Sequence, residues 1–283
     1  MFNEIKTRFI AAVTLAAAGA FCLTSCGGGD SEAAAKCLAD AQTMLNERDF
    51  AGALAELDSL DARYPREADA RRQAIAMRPR IIEAQSLAEL QTADSLIAVL
   101  TLRSDSLKAT LQHVSDAFEG YYTTKALAGK VPAQASGLYA RMTTEGVYTV
   151  VASSTKAAKS TAVTLTADGQ SVTTPEVAED GERNDRSRGV EIINFMPAEC
   201  DTLGVFAADH AGAKFTLTFQ GAKPWSMPLP QEQAAALADV YRASKVYTAL
   251  RHETLRKERL ERLLQVARNQ MARKYAADSV ASE

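Results

Sequence analysis

Two stretches of helical patterning bracket a β-rich stretch, and this arrangement limits what the chain can build. In the first stretch Leu90, Ile97, Ser104, Leu111 and Phe118 take one core position of a heptad. Ala93, Leu100, Leu107, Val114 and Tyr121 take the other. Ser104 is the one polar member of those rows, which is the pattern of a coiled-coil seam. The second stretch opens after Pro230, with Ala236, Val240, Ala243, Tyr247, Leu250, Leu260, Leu264, Ala267 and Met271 at helical spacing and a break near Thr254 and Lys257. Residues 80–126 and 233–276 would each make a helix roughly 65 to 70 Å long. Their charges oppose: four basic and six acidic residues in the first, ten basic and four acidic in the second. Equal length and opposite charge predict an antiparallel coiled-coil pair, with the intervening residues folded as a module between the two helices. The basic second helix reads as a partner for the first plus a solvated face. It lacks the aromatic interleaving of a nucleic-acid groove, so no nucleic-acid partner is expected. The oligomeric state stays open.

Between the helices, over 133–229, the texture is β-branched and alternating: "VYTVVAS", "TAVTLTA", "QSVTT", "VEIINF" and "KFTLTFQ". Asp168-Gly169 and Glu145-Gly146 mark turns. "PEVAEDGERNDRSRG" reads as a long polar loop and "AKPWSMPLP" as a Pro-bounded exit. The expectation is a small antiparallel sandwich or partly open barrel of five to seven strands, making the fold α+β overall.

Before the first long helix, 33–79 reads as a helical hairpin followed by a charged helix, with Pro79 kinking or restarting the chain. The motif Asp49-Phe50, Ala53-Leu54, Leu57, Leu60, Tyr64-Pro65 resembles a tetratricopeptide-type hairpin. It occurs once, and stacked arrays need about three units, so it reads as a hairpin docked on the next helix.

The N-terminus carries an address. Lys6 and Arg8 precede the apolar run Ile10–Leu23, which is shorter than the roughly 20 residues of a transmembrane helix. Leu23-Thr24-Ser25-Cys26 resembles the lipobox of bacterial lipoproteins. By that resemblance 1–25 is a signal peptide, Cys26 is the first mature residue and carries the acyl chains, and 26–32 is a tether. Gly27 rather than aspartate after the cysteine implies outer-membrane anchoring, with the periplasmic face and the surface both open. Residues 277–283 read as a tail.

The lipobox, "DFAGALAELDSL", the coil, "TPEVAEDGERN", "VEIINF" and "KFTLTF" together resemble uncharacterised coiled-coil lipoproteins of Gram-negative gut bacteria. The resemblance spans most of the chain. It implies this architecture and an envelope address, and no activity.

Residues that carry chemistry are few. His113 and His252 fall on the two long helices and His210 in a β-module loop, "AADHAGA", and all three read as exposed or flanking residues. Glu176, Glu179, Asp180, Glu182 and Asp185 interleave with Arg183, Arg186 and Arg188, as in a solvated loop. The spacing is not that of a calcium loop. No phosphate loop, nucleophile elbow or zinc motif is present, and no cofactor or metal is expected. Cys37 and Cys200 are either buried thiols or a bridge. Trp225 either covers the end of the module or, with Tyr139 or Tyr148, contacts a partner.

The reading is a non-enzymatic, lipid-anchored envelope scaffold or adaptor with an envelope protein as partner. The alternatives are a lipoprotein whose β module recognises glycan or peptide, and an envelope hydrolase, which requires acids from different β loops to meet in one cleft.

Overall fold

The computed structural model describes residues 29–115, 120–156, 159–179 and 181–280. Cys26 and Phe118 lie outside the described residues. The fold is α+β, with five helices and two antiparallel sheets among the described residues. It divides into two compact units, Met1–Ile81 and Ile82–Glu283.

The first unit holds α1 (Gly29–Asn46), α2 (Phe50–Arg63) and the opening turns of α3 (Ala68–Lys108). Asp49 starts α2 by accepting the Gly52 N–H at 2.9 Å, which satisfies one of the unpaired amides of a helix N-terminus. Cys37, Ala41, Ala53, Leu57, Leu60, Ala74 and Ile81 form one apolar cluster. Arg78 bridges Asp58 at 2.6 Å and Asp61 at 2.8 Å, and Arg71 adds a second cation to Asp61 at 3.2 Å. Those bonds hold the Asp61 carboxyl below the ordinary carboxylate range. The hairpin is thus docked on the next helix. Two expectations need correction here. α1 already includes residues 29–32, which the tether was read to contain. Pro79 does not restart the chain but lies inside α3, which leaves the kink as its reading.

In the second unit α3 stops at Lys108, not at 126. Beyond it, β1 (Leu111–Val114) pairs with β2 (Tyr121–Thr124), so Leu111, Val114 and Tyr121 sit on a hairpin and not on a helical seam. His113 is therefore an exposed strand residue. Six strands then follow: β3 (Gly137–Met142), β4 (Tyr148–Ser154), β5 (Ser160–Ala167), β6 (Gln170–Thr173), β7 (Asn184–Ser187) and β8 (Val190–Phe195). After them come α4 (Pro197–Asp209), β9 (Thr216–Gly221), β10 (Trp225–Pro228) and α5 (Gln231–Val280). One sheet has the order β1-β2-β3-β4-β8-β7 and the other β10-β9-β5-β6.

Among the described residues eight strands lie in 133–229, where five to seven were expected, and two more precede it. β7 lies within the stretch read as a polar loop, and β10 within the stretch read as an exit. α4 was read as β-module sequence, and His210 caps its end. Asp168 and Gly169 turn β5 into β6 with φ of 50° and 75°, the left-handed pair that a tight hairpin needs. β3 and β4 are buried along nearly their whole length, because α4 and α5 also pack on the sheet. Leu138, Val150, Leu165, Leu217 and Phe219 form one core with Leu203 of α4 and Leu237 and Val240 of α5.

Along α3, Ser86, Ala93 and Ser104 are buried, and Leu90, Ile97, Leu100 and Leu107 are half-buried between exposed neighbours. The heptad rows therefore hold as far as Leu107. On α5 beyond His252 the shielded positions up to Met271 are Glu253, Arg256, Lys257, Leu260, Leu264, Ala267 and Met271. Glu83, Glu89 and Asp94 of α3 pair with Arg268, Arg256 and Lys257 of α5 at 2.8, 3.1 and 2.7 Å. Among the described residues no helix is long and apolar enough to cross a membrane.

Candidate functional site

Trp225 opens β10 and is half-buried. Its ring stacks on its cross-strand neighbour Phe219, with centroids 4.9 Å apart and planes 9° from parallel. Lys156 Nζ lies 4.3 Å from the same ring centroid, a cation–π contact. Tyr139 and Tyr148 are placed differently. Both are buried, and their hydroxyls donate to Ala135 O at 2.9 Å and Leu237 O at 3.2 Å. Tyr148 meets Tyr241 edge-on, and burial lifts its phenol well above the ordinary value. These two tyrosines tie the sheet to its surroundings, and of the three aromatic residues only Trp225 reaches the surface.

Beside Trp225 the ends of three strand connections meet. They are the entry to β5 at Lys159, the β7–β8 turn through Gly189, and the β9–β10 turn through Ala222 and Lys223. Their backbones approach closely: a Cβ on Gly221 would sit 2.2 Å from Lys159 O, so only glycine fits. Lys159 has φ of 53°, and the β5–β9 register shifts between Ser160 and Ala162. Such bulges re-aim side chains at sheet edges.

Glu191 holds this corner. It is 3% exposed, because β8 points residues 191, 193 and 195 inward. Its carboxylate accepts the Lys159 N–H at 2.5 Å and the Ser160 N–H at 3.2 Å, and lies 3.3 Å from Arg186 Nε. Arg186 also donates to Ser160 O at 3.2 Å and pairs with Glu179 at 3.2 Å, and Asn184 donates to Ser160 O at 2.8 Å. Lys159 pairs with Glu179 at 3.1 Å. Over this floor lies a cavity of about 390 Å³ lined by Lys159, Arg186, Gly189, Val190, Glu191, Ala222 and Lys223. A recess lined by Lys159, Arg186 and Lys223 can receive a negatively charged group.

Reading the sequence alone missed the corner. One signal was available: Glu191 falls on the inward set of "VEIINF" with Ile193 and Phe195. A charge at a core position announces a buried partner.

The remaining candidates do not gather. His113 stands edge-on to Tyr122 at 5.0 Å, His210 Nδ1 is 3.1 Å from Asp168, and His252 lies on the exposed side of α5 beside Glu253. Glu179, Glu182 and Asp185 line a second, more open recess of about 690 Å³ with Gly181, Asn184 and Arg186, all from one segment of chain. Asp180 lies outside the described residues. Among the described residues no group of three or more histidines, cysteines and acids could hold a metal. Cys37 and Cys200 are both free and buried. Burial pushes the thiols up to about 11 and about 12, so neither is a nucleophile at neutral pH. Compared with family models, curated proteins and solved structures, the chain matches none.

Proposed function

We propose that the chain is a non-enzymatic, lipid-anchored scaffold of the cell envelope that docks a protein partner. In this reading acyl chains on Cys26 hold it at the outer membrane. The α3 and α5 helices form an antiparallel coiled-coil pair, and the β sandwich inserted between them is the presented module.

The observation that carries the reading is the outward side of α3. Leu96, Val99 and Leu102, three residues apart along one side of the helix, are 42%, 56% and 73% exposed. The only charges between Ala84 and Leu102 are Glu89 and Asp94, and both are committed to α5. A run of exposed apolar residues with no free charge marks a protein contact more than a solvated helix face.

A photo-cross-linking residue at Leu102 in intact cells tests it. One dominant envelope protein is expected, and the Val99→Lys substitution should abolish its capture. Adducts only with a second copy of the chain, or none, would overturn the adaptor reading. The anchor is tested separately by fractionation. Cys26→Ser should release the protein from membranes, since more than one acyl chain is needed for stable anchoring. Tight membrane association of that variant would remove the anchor from the account.

A further inference from the structure

We infer that the corner beside Trp225 binds a small ligand through an oxyanion, a carboxylate or a phosphate group. Four observations converge on it. The chain as a whole has a formal net charge of −3. Yet among the described residues this corner collects Lys156, Lys159, Arg186 and Lys223 against Glu179 and Glu191. Second, the carboxylate that lines the cavity is already spent. Glu191 is saturated from behind by two backbone N–H groups and Arg186, and Glu179 lines the other recess. Lys223 has no ion-pair partner among the described residues, and Lys156 has only the indole ring.

Third, hydrogen-bonding capacity is left over here. Buried polar atoms without a partner are rare and each calls for an explanation. Of the seven such side-chain atoms among the described residues, three besides Arg186 Nε, which faces Glu191, lie on residues around this corner: Ser160 Oγ, Asn184 Oδ1 and Trp225 Nε1. Two of these three can donate a hydrogen bond, as an anion requires. Fourth, the frame is stiff. The bulge, the left-handed Lys159 and the close approach at Gly221 fix the backbone at Lys159, Ser160 and Gly221 before any ligand arrives, which lowers the ordering cost there. A volume of about 390 Å³ suits one small molecule.

This site is separate from the outward side of α3, and its test uses purified protein, so either reading can fail without the other. Trp225 is the only tryptophan in the chain, so intrinsic fluorescence reports on its surroundings, where Lys156 meets the ring. The mature chain carrying Cys26→Ser would be titrated with galacturonate, inorganic phosphate and galactose, followed by both fluorescence and calorimetry. A saturable response to galacturonate or phosphate and none to galactose is expected. Which of the two anions responds tells carboxylate from phosphate. Lys223→Glu should weaken binding by at least about tenfold, because attraction at short range becomes repulsion. That side chain is exposed and makes no contact the fold needs. A response to galactose equal to that for galacturonate, an unchanged titration in Lys223→Glu, or no heat and no fluorescence change with either anion would each overturn the proposal.

Discussion

Glu191→Ala should lower the stability of the second unit by about 3 kcal/mol, the lower end of the range for breaking a buried ion pair. The carboxylate is 3% exposed and serves three donors at once. Its removal leaves the amide of the buried Ser160 and that of the exposed Lys159 without their acceptor. A buried orphan costs about 1 to 3 kcal/mol. Arg186 keeps Glu179 and the Ser160 carbonyl, which is why the low end is expected. Glu191→Gln retains one acceptor oxygen and should lose less. Urea unfolding followed by Trp225 emission reads the loss where it arises. A change below about 1 kcal/mol, within the range of exposed ion pairs, would mean that the corner does not depend on this carboxylate.

Phe219→Ala has the other large expected effect, about 3 to 5 kcal/mol, as for other buried phenylalanine truncations. Phe219 is 1% exposed, pairs with Val163 on one side and with Trp225 on the other, and is among the largest fully buried side chains. Truncation opens a cavity between the sheets and removes the lower partner of the indole stack. Two readouts should therefore move together: the urea midpoint falls, and the folded-state emission shifts as Trp225 loses its neighbour. Loss of stability with an unchanged spectrum would show that the stack does not set the environment of the indole.

How far the fold could be read from the sequence depends on the length of each pattern. The α3 rows from Leu90 to Leu107 and the strands around "TAVTLTA" and "KFTLTFQ" are long, regular and correctly placed. The heptad reading overran because Leu111, Val114 and Tyr121 happen to keep its spacing. Four-residue strands such as "LQHV" and "YYTT" are too short for a period of two to outvote one of 3.5. The better signal was Gly120, whose φ of 74° suits a turn and not a helix interior. α4 was missed inside a β-rich stretch, although Pro197 and Glu199 spell a helix start. Pro tolerates the first turn, and Glu199 reaches back to the Met196 N–H at 2.7 Å. The break read near Lys257 on α5 is a half-buried position filled by a charge that finds Asp94, a pairing visible only once both helices are placed.

The corner beside Trp225 was illegible for a related reason. Arg186 and Glu191 face each other across the β7–β8 hairpin, but Lys159 and Lys223 come from other connections, and only the arrangement of the two sheets brings all four together. Tyr139 and Tyr148 were read as contacts because tyrosine suits half-wet sites. Burial on both faces of β3 and β4 takes them inside instead.

α5 carries a mechanical consequence. It is one helix of 50 residues, about 75 Å at 1.5 Å per residue. Leu237 and Val240, near its start, lie in the core of the sheets, while Arg256, Lys257 and Arg268 grip α3 farther along. No loop divides the two parts. The helix is thus a lever without a hinge: a twist or pull applied near Arg268 is delivered to the floor of the β sheets with nothing between to absorb it.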